Sequence, residues 1–227
     1  MEKKVCLLTG ASGLFGTLFI QRFAADYQIA GVCHGRDIPA QARHPTGPST
    51  PQRDAVYIIR ADLSKPEGCD RVIQTVLDRF GKVDLLVHSA AIRCFSTLLA
   101  PGALNPAETL FNLNLVASMR LGIALAAKFW RLRCSENSHC NRNVINISSS
   151  AGLYVYPDYG QALYAASKAA LNQLTYHLAS EFWDIGVRVN AIAPDTFPGR
   201  VNASDVIDCV HRIAHSDCTG QVVPICP

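Results

Sequence analysis

The sequence predicts an α/β protein in which a doubly wound parallel sheet carries helices on both faces. Apolar, β-branched runs alternate along the chain with longer segments of helical periodicity, which is typical of βαβ units. A glycine-rich turn directly follows the first predicted strand. Small and polar residues follow several other strands, at the carboxyl ends where open parallel sheets bind their ligands.

The composition indicates one compact domain spanning residues 1–227. The chain is 49% hydrophobic and 17% charged, which supplies a large core and is too apolar for disorder. The net charge of +3 comes from scattered Lys and Arg, without a basic stripe or a cationic amphipathic segment. Neither nucleic acid nor a membrane surface is therefore an expected partner.

Strand-like sequence begins at Val5, and no apolar run approaches 18 residues. We therefore expect no signal peptide, no membrane span and a cytoplasmic location. The nine cysteines are odd in number and contain no C-x-x-C pair, so we expect reduced, mostly buried thiols. Cys134, His139 and Cys140 lack a second ligand pair at a useful spacing, and no metal site is expected.

The predicted strands are short apolar runs, and the predicted helices show apolar residues at helical spacing. The strands are Lys4–Leu8, Ile29–His34, Val56–Arg60, Lys82–His88, Val144–Ile147, Val187–Ile192 and Gln221–Ile225. The helices are Thr17–Ala25, Glu67–Phe80, Pro106–Trp130, Tyr164–Asp184 and Ala203–Ala214. Between them, Ile38–Arg53 holds four prolines and is predicted to be a mobile loop, and Arg131–Asn143 a polar connection.

The turn TGASGLFG, residues 9–16, lies between the first strand and the first helix. Glycines at 10, 13 and 16 permit a tight turn and a close approach to a pyrophosphate, whose charge the helix N-terminal amides meet. A glycine-rich turn without a ligand is the alternative. The position of the turn favours a dinucleotide-binding fold.

The end of the second strand bears on the choice of dinucleotide. Arg36 suits the 2′-phosphate of NADP, whereas Asp37 keeps the ribose hydroxyl of NAD as an alternative. Asp62 follows the third strand, where it could contact the adenine or cap the next helix, and the sequence does not separate the two. Small residues at 89–91, after the fourth strand, fit close passage of a cofactor or tight packing.

The stretch NISSSAGLYVYPDYGQALYAASK, residues 146–168, carries the candidate chemistry. Tyr164 and Lys168 are four residues apart in a predicted helix and so share one face. A nearby ammonium favours the phenolate, so we expect Lys168 to lower the pKa of Tyr164. The serines at 148–150 offer hydroxyl donors to a substrate oxygen. Asn112 and Asn114, inside an apolar helix, need hydrogen-bond partners as a structural tie or as part of a site.

Together these motifs resemble the short-chain dehydrogenase/reductase family, over Val5 to Ile225. TGASGLFG, the ADL at 61–63, NLNL, NISS, YAASK, VRVNAIAP and TGQVVP occur in the order found in that family. The resemblance implies a Rossmann-type, three-layer αβα fold with about seven strands. It also implies a homo-tetramer or homo-dimer built on the two long helices, and catalytic roles for Asn114, Ser149, Tyr164 and Lys168. The predicted cofactor-binding residues are Gly10, Ser12, Gly13, Leu14, Phe15, Gly16, Arg36, Asp62, Leu63, Ser89, Ala90, Ala91, Tyr164, Lys168, Pro194 and Thr196.

The chain departs from the family pattern at several places. Leu14 stands where short members usually have glycine, and His88-Ser89-Ala90-Ala91 replaces N-N-A-G. Two additional residues separate Ser149 from Tyr164, which leaves Ser148 or Ser150 open as the working hydroxyl. Asp195 replaces a common glycine, and the segment after Thr196 is short, so a more open pocket is expected.

The resulting hypothesis is an NADP(H)-dependent carbonyl reductase or alcohol dehydrogenase acting on a small-molecule carbonyl or alcohol. In the reducing direction Tyr164 would donate the proton, Ser149 would bind the carbonyl oxygen, and Asn114 would position a water. Two alternatives are a nucleotide-sugar epimerase or dehydratase, and a cofactor-sensing protein without catalysis. The first is disfavoured because only about thirty residues follow Pro194, and the second because Tyr164 and Lys168 are both present.

Overall fold

Seven parallel strands form one sheet in the computed structural model, which describes residues 3–39, 42, 56–157 and 160–227. The strand order is β3-β2-β1-β4-β5-β6-β7, which confirms the predicted doubly wound fold. The strands are β1 Lys4–Thr9, β2 Tyr27–Cys33, β3 Val56–Arg60, β4 Leu85–His88, β5 Asn143–Ile147, β6 Arg188–Pro194 and β7 Val222–Ile225.

The helices cover both faces of the sheet. They are α1 Leu14–Phe23, α2 Pro66–Phe80, α3 Ala107–Phe111, α4 Ala117–Lys128, α5 Cys134–His139, α6 Ala162–Glu181 and α7 Ala203–His215. A π-helical turn, Asn112–Val116, joins α3 to α4. The long helical region predicted at 106–130 is confirmed and contains this π-helical turn, and the polar connection predicted at 131–143 contains the short helix α5.

The core forms two apolar layers, because successive strand residues point to opposite faces. Leu8 packs in a layer with Phe19 of α1 and Val210 of α7. Leu7 packs in the other layer with Val72 of α2 and Leu121 of α4. The sheet is therefore buried on both sides, as parallel sheets require.

The topology reverses direction between β1 and β4, and this switch point positions the site. Thr9 on β1 pairs with His88 on β4, and His88 pairs with Asn146 on β5. The segments that follow these three strands therefore emerge side by side at the carboxyl edge of the sheet. They are the glycine turn, residues 89–91 and the serine cluster.

One helical stretch, Ala107–Lys128, is long and apolar enough to cross a membrane, with a mean hydropathy of 1.5. The expectation that no such stretch exists was therefore wrong. The stretch forms part of the core, because Leu121 and Leu125 are buried against the sheet and the polar Asn114 and Ser118 are fully buried with hydrogen-bond partners.

Two other expectations concern cysteines and the proline-rich loop. All nine cysteines are free, but only Cys6, Cys33, Cys69 and Cys209 are buried, so the expectation of mostly buried thiols was wrong. Most of the predicted loop Ile38–Arg53 lies outside the described residues; Ile38 itself packs in the core.

Two glycines inside helices give opposite predictions for substitution by alanine. A Cβ on Gly16 would lie 2.5 Å from the Gly10 carbonyl oxygen and 2.6 Å from the Ala11 Cα, both backbone atoms that cannot move aside. A Cβ on Gly122 would meet Phe182 and Leu178 at 3.9 Å and 4.0 Å, which is ordinary contact. Gly16→Ala should therefore lower the free energy of unfolding by about 2 kcal/mol.

Gly122→Ala should instead raise the free energy of unfolding by about 0.5–1 kcal/mol, because alanine has a higher helix propensity than glycine. Urea unfolding followed by circular dichroism measures both changes. Equal effects of the two substitutions would contradict the packing described for α1.

Candidate active site

The glycine turn lies against the end of β4. Gly10 has a φ of 68°, and a Cβ there would lie 2.9 Å from the Ala90 nitrogen, so only glycine fits without strain. The turn closes with a bond from the Gly13 amide to the Gly10 carbonyl (2.9 Å). Gly13 caps α1 without a side-chain hydrogen bond, which leaves the helix N-terminus suited to an anion. Phe15 is buried in the core, so only its backbone could contact a cofactor.

Thr9 joins the glycine turn to residues 89–91. Its hydroxyl oxygen accepts hydrogen bonds from the Ser89 and Ala90 amides, both at 3.0 Å. The Ser89 hydroxyl donates to the Thr9 carbonyl at 2.6 Å. The sequence prediction included Ser89 and Ala90 but missed Thr9, although Thr9 is the first residue of the TGASGLFG motif.

His88 is fully buried beside Thr9, in the position of the first asparagine of the family's N-N-A-G. Because the Thr9 oxygen already accepts two hydrogen bonds, its own proton must be donated to His88 Nδ1, 3.1 Å away. A neutral His88 therefore carries its proton on Nε2, on the side of the Leu113 backbone carbonyl. Burial lowers the pKa of His88 to about 3, and the charge of Lys168 contributes to the lowering.

Arg36 and Asp37, which the sequence connects with the choice of dinucleotide, are exposed after β2. Asp37 accepts a hydrogen bond from Arg60, the last residue of β3, and the two form an ion pair. Arg60 was not predicted as a site residue. Asp62 accepts bonds from the Ser64 amide (2.9 Å) and hydroxyl (2.7 Å), which lower its pKa. This turn precedes α2, whose N-cap is Lys65, so Asp62 is not the cap residue.

Tyr164 and Lys168 lie on one face of α6, as their spacing predicted. The Lys168 ammonium is 5.8 Å from the centroid of the Tyr164 ring. It donates a hydrogen bond to the Ile147 carbonyl at the end of β5 (2.7 Å) and is almost fully buried. Burial lowers the pKa of Lys168 to about 7.

We expected Lys168 to lower the pKa of the Tyr164 phenol, and the structure shows the opposite direction. Burial raises the pKa of the Tyr164 phenol, against smaller lowering effects from a Ser149 hydrogen bond and from the charge of Arg93. Desolvation disfavours both the phenolate and the ammonium, and it outweighs their proximity. In this structure the phenol is therefore held protonated at neutral pH.

The three serines after β5 have different partners. The buried Ser148 hydroxyl bonds Asn172 and the Lys168 carbonyl, and the Ser150 hydroxyl bonds that of Tyr156 at 3.0 Å. The Ser149 hydroxyl accepts from the Ala151 amide and lies close enough to the Tyr164 phenol to lower its pKa. Ser149 is thus the serine of the three whose hydroxyl lies at the phenol.

Asn114 lies in the π-helical turn and is fully buried. Its amide oxygen accepts from the Ile92 amide (2.9 Å), and its amide nitrogen donates to the Ile92 carbonyl and the Ser167 hydroxyl, both at 3.0 Å. Both amide hydrogens are therefore used within the protein. The side chain acts as a tie that fixes the segment after β4 to α6.

The predicted residues after β6 include Pro194, which ends that strand, and Thr196. The Thr196 amide donates to the Asp195 carboxylate at 2.7 Å. Asp195 is buried and also pairs with Arg200 at 3.2 Å. The residue that replaces the family glycine therefore organises this turn and engages the Thr196 amide.

The fold and this site define the class of Rossmann-type dinucleotide-binding oxidoreductases. Residues 4–206 match the model of the short chain dehydrogenase family, and the chain belongs to that family. It is therefore an oxidoreductase that acts on CH–OH groups with a nicotinamide cofactor.

Individual relatives are distant but similar over most of their length. The chain is 28% identical to 3β-hydroxysteroid dehydrogenase 1 of Eggerthella lenta, over 99% of this chain and 81% of that protein. It is 28% identical to the 3-oxoacyl-[acyl-carrier-protein] reductase FabG of Thermotoga maritima, over 86% of this chain and 74% of that protein.

Two solved structures have the same fold. One is a Pseudomonas aeruginosa RhlG/NADP active-site complex, with a TM-score of 0.84 and 24% identity, covering 98% of this chain and 94% of that one. The other is a Brucella ovis oxidoreductase of the family in complex with NAD, with a TM-score of 0.75 and 29% identity, covering 99% of this chain and all of that one.

The buried His88 predicts a dependence of stability on pH. Its folded pKa of about 3 lies below the ordinary 6.5, so the unfolded chain binds the proton more strongly. The buried neutral His88 therefore contributes unfolding free energy above pH 6.5, and this contribution is lost as the pH falls toward 3. Between pH 7 and pH 5 the protein should lose about 2 kcal/mol of unfolding free energy through this residue.

Urea unfolding at the two pH values measures this loss, and His88→Asn should show a loss smaller by about that amount. His177→Asn, on an exposed position of α6, is the matched control and should behave like the unsubstituted protein. An identical pH dependence in all three proteins would contradict the burial of a neutral His88.

Proposed function

We propose that the protein is an NADPH-dependent ketoreductase that converts a carbonyl to a secondary alcohol. One arrangement carries the proposal: the half-buried Tyr164 phenol lies beside the Ser149 hydroxyl, and the Lys168 side-chain nitrogen is 5.8 Å from the centroid of the Tyr164 ring. A protonated phenol is the form that donates a proton to a carbonyl oxygen, as reduction requires.

The residues present fit a nicotinamide dinucleotide. The uncapped N-terminus of α1 suits the pyrophosphate, and Gly10 keeps the turn free of side-chain bulk. Lys168 lies where it would hold the nicotinamide ribose, as the family resemblance implies. When bound, the reduced cofactor supplies the hydride.

In the proposed reaction Tyr164 gives its phenolic proton to the carbonyl oxygen as negative charge develops there. Ser149 hydrogen-bonds the same oxygen and stabilises that charge. The phenolate then formed is stabilised by the Lys168 ammonium, which matters most after the proton has left. Asn114 contributes by fixing the segment at Ile92, and because both of its amide hydrogens are engaged, a water beside it would donate to one of its oxygens.

The preference for NADP rests on residues of this chain, because the solved neighbours contain NADP in one case and NAD in another. Asp37 is the carboxylate that could accept bonds from an NAD ribose, and Arg60 pairs with it. Arg36 follows β2 and Arg60 ends the neighbouring β3, so both would be available to a 2′-phosphate, which guanidinium groups bind through paired N–H donors.

A homo-dimer or homo-tetramer is part of the same proposal. Its subunit contacts would use the outer faces of α4 and α6, where Ile123 is 50% and Tyr176 is 44% exposed. Exposed large apolar side chains on two long helices are suited to pairing with a second copy. A cytoplasmic location also belongs to the proposal.

Tyr164→Phe should lower kcat for carbonyl reduction by at least ~10²-fold, because general acid catalysis contributes about that much. Binding of NADPH should change little, because the substitution removes only a hydroxyl. NADPH oxidation against a panel of ketones and fluorescence titration of NADPH measure the two effects. Unchanged turnover in this variant would remove Tyr164 from the mechanism.

Two adjacent serines provide a sharper comparison. Ser149→Ala should lower kcat by about 10²-fold, because it removes a donor to the developing oxyanion. Ser150→Ala removes a hydroxyl bonded to Tyr156 and should cost less than tenfold. A larger loss in Ser150→Ala than in Ser149→Ala would show that the other hydroxyl faces the substrate.

The nucleotide preference can be measured without turnover. Arg60→Ala removes one cation and releases Asp37, so the affinity for 2′,5′-ADP should fall about tenfold or more while that for 5′-ADP changes little. Isothermal titration calorimetry with both nucleotides measures this. Arg131→Ala, at an exposed position on the opposite edge of the sheet, is the control. Equal losses for the two nucleotides would argue against a 2′-phosphate site.

A further inference from the structure

Two segments that leave the carboxyl edge of the sheet meet beside Tyr164. One follows β4 and includes residues 92–105, and the other follows the serine cluster. The Ser96 amide donates to the Gly160 carbonyl at 2.6 Å. A Cβ on Gly160 would lie 2.9 Å from backbone atoms of Ser96 and Thr97, so the two backbones are in direct contact. The two segments therefore touch at Ser96, Thr97 and Gly160, and we call their residues 92–105 and 153–157 the wall.

Each segment is also fixed at its base. Asn114 holds Ile92 through two hydrogen bonds. The amides of Leu153 and Tyr154 donate to the Ser150 carbonyl at 2.9 Å and 2.8 Å. The wall is thus positioned by the same residues that build the catalytic group.

The wall presents large apolar side chains to solvent, which we call the apolar rim. Its members and their exposed fractions are Phe95 56%, Leu98 57%, Leu99 97%, Leu153 39%, Tyr154 52% and Val155 93%. Such a concentration of exposed apolar groups is uncommon on a monomer surface unless the surface binds something.

The rim adjoins the catalytic phenol. The Phe95 ring packs edge-on against the Tyr164 ring, with centroids 6.1 Å apart and planes inclined by 77°. Residues 92–105 contain one charged side chain, Arg93, and residues 153–160 also contain one, Asp158. A ligand whose carbonyl reaches Tyr164 would therefore lie with its other substituent along an apolar, almost uncharged wall.

We propose that the substrate is a carbonyl compound with an extended apolar substituent, an alkyl chain or fused ring system, which the apolar rim covers. The proposal rests on the proposed reductase function and adds the substrate class. A short or highly polar carbonyl compound would leave Phe95 and Leu99 in water and would gain nothing from them. An extended apolar substituent removes both surfaces from water, and the gain increases with its length.

The first test is a series of 2-alkanones from four to ten carbons with NADPH. The value of kcat/KM should rise about twofold to fourfold per added methylene, up to the value for complete burial. A fused-ring ketone should be reduced at least as efficiently as the longest alkanone if the rim accepts rings, and poorly if it accepts chains only. Reduction of the alkanones without any dependence on chain length overturns the proposal and leaves the reductase function standing.

Two leucine variants test whether the dependence of kcat/KM on chain length arises at the apolar rim. Leu99→Ser should lower the ratio of kcat/KM for the ten-carbon over the four-carbon ketone by about fivefold or more. Leu132→Ser removes an equally exposed leucine, 73% accessible, at the opposite edge of the sheet and should leave that ratio unchanged. Equal ratios in both variants and the unsubstituted protein would overturn the assignment of the rim.

A binding measurement separates the rim from the reaction. Displacement of bound 1-anilinonaphthalene-8-sulfonate by 2-alkanols of increasing length requires no hydride transfer, and Leu99→Ser should weaken the dependence on length. If no ketone is reduced but this displacement follows chain length, the proposed function fails and the rim remains a ligand site. Sedimentation of the same variants tests whether a second copy of the chain covers the rim instead of a substrate. A loss of subunit association in Leu99→Ser, with an unchanged dependence on chain length, would make the rim a contact between copies and overturn the proposal.

Discussion

A lysine ammonium buried without a carboxylate partner among the described residues is the constraint on which the site depends. Lys168 is 2% exposed and donates a hydrogen bond to the carbonyl oxygen at the end of β5. Such burial is costly, and it lowers the pKa of Lys168 to about 7. Groups with perturbed pKa values concentrate at functional sites because chemistry near neutral pH requires them. We propose that this costly burial serves the adjacent phenol of Tyr164.

The remaining polar contacts at this edge hold the chain segments around that pair. Thr9 ties the glycine turn to Ser89 and Ala90, and its hydrogen bonds determine which nitrogen of His88 carries the proton. Asn114 ties the next part of the same segment to α6. Each tie joins two different strands or a strand end and a helix, so the cofactor side and the substrate side are positioned together. These hydrogen bonds also hold the segments that carry the apolar rim, in which Phe95 packs against Tyr164.

Much of the fold could be predicted from sequence, because strand periodicity, glycine spacing and the order of motifs are local signals. The strand β3 was predicted with the observed bounds, and the Tyr164–Lys168 pair follows from one helical turn. The pKa of Tyr164 could not be predicted, because burial by other elements outweighs a neighbour four residues away. Similarly, three consecutive serines are equivalent in sequence, and only their tertiary partners distinguish Ser149. Phe95 and Arg60 carry no motif, and their importance appears only when distant segments meet.

The most direct measurement of the central claim is the transfer of isotope from NADPH carrying deuterium at C4 of the nicotinamide to a ketone. If the protein is a reductase of this family, one of the two C4-deuterated epimers should give an alcohol with one deuterium on the former carbonyl carbon. The other epimer should give unlabelled alcohol. Mass spectrometry of the product distinguishes them. An absence of alcohol with both epimers, or alcohol that takes its carbon-bound hydrogen from solvent, would contradict the account.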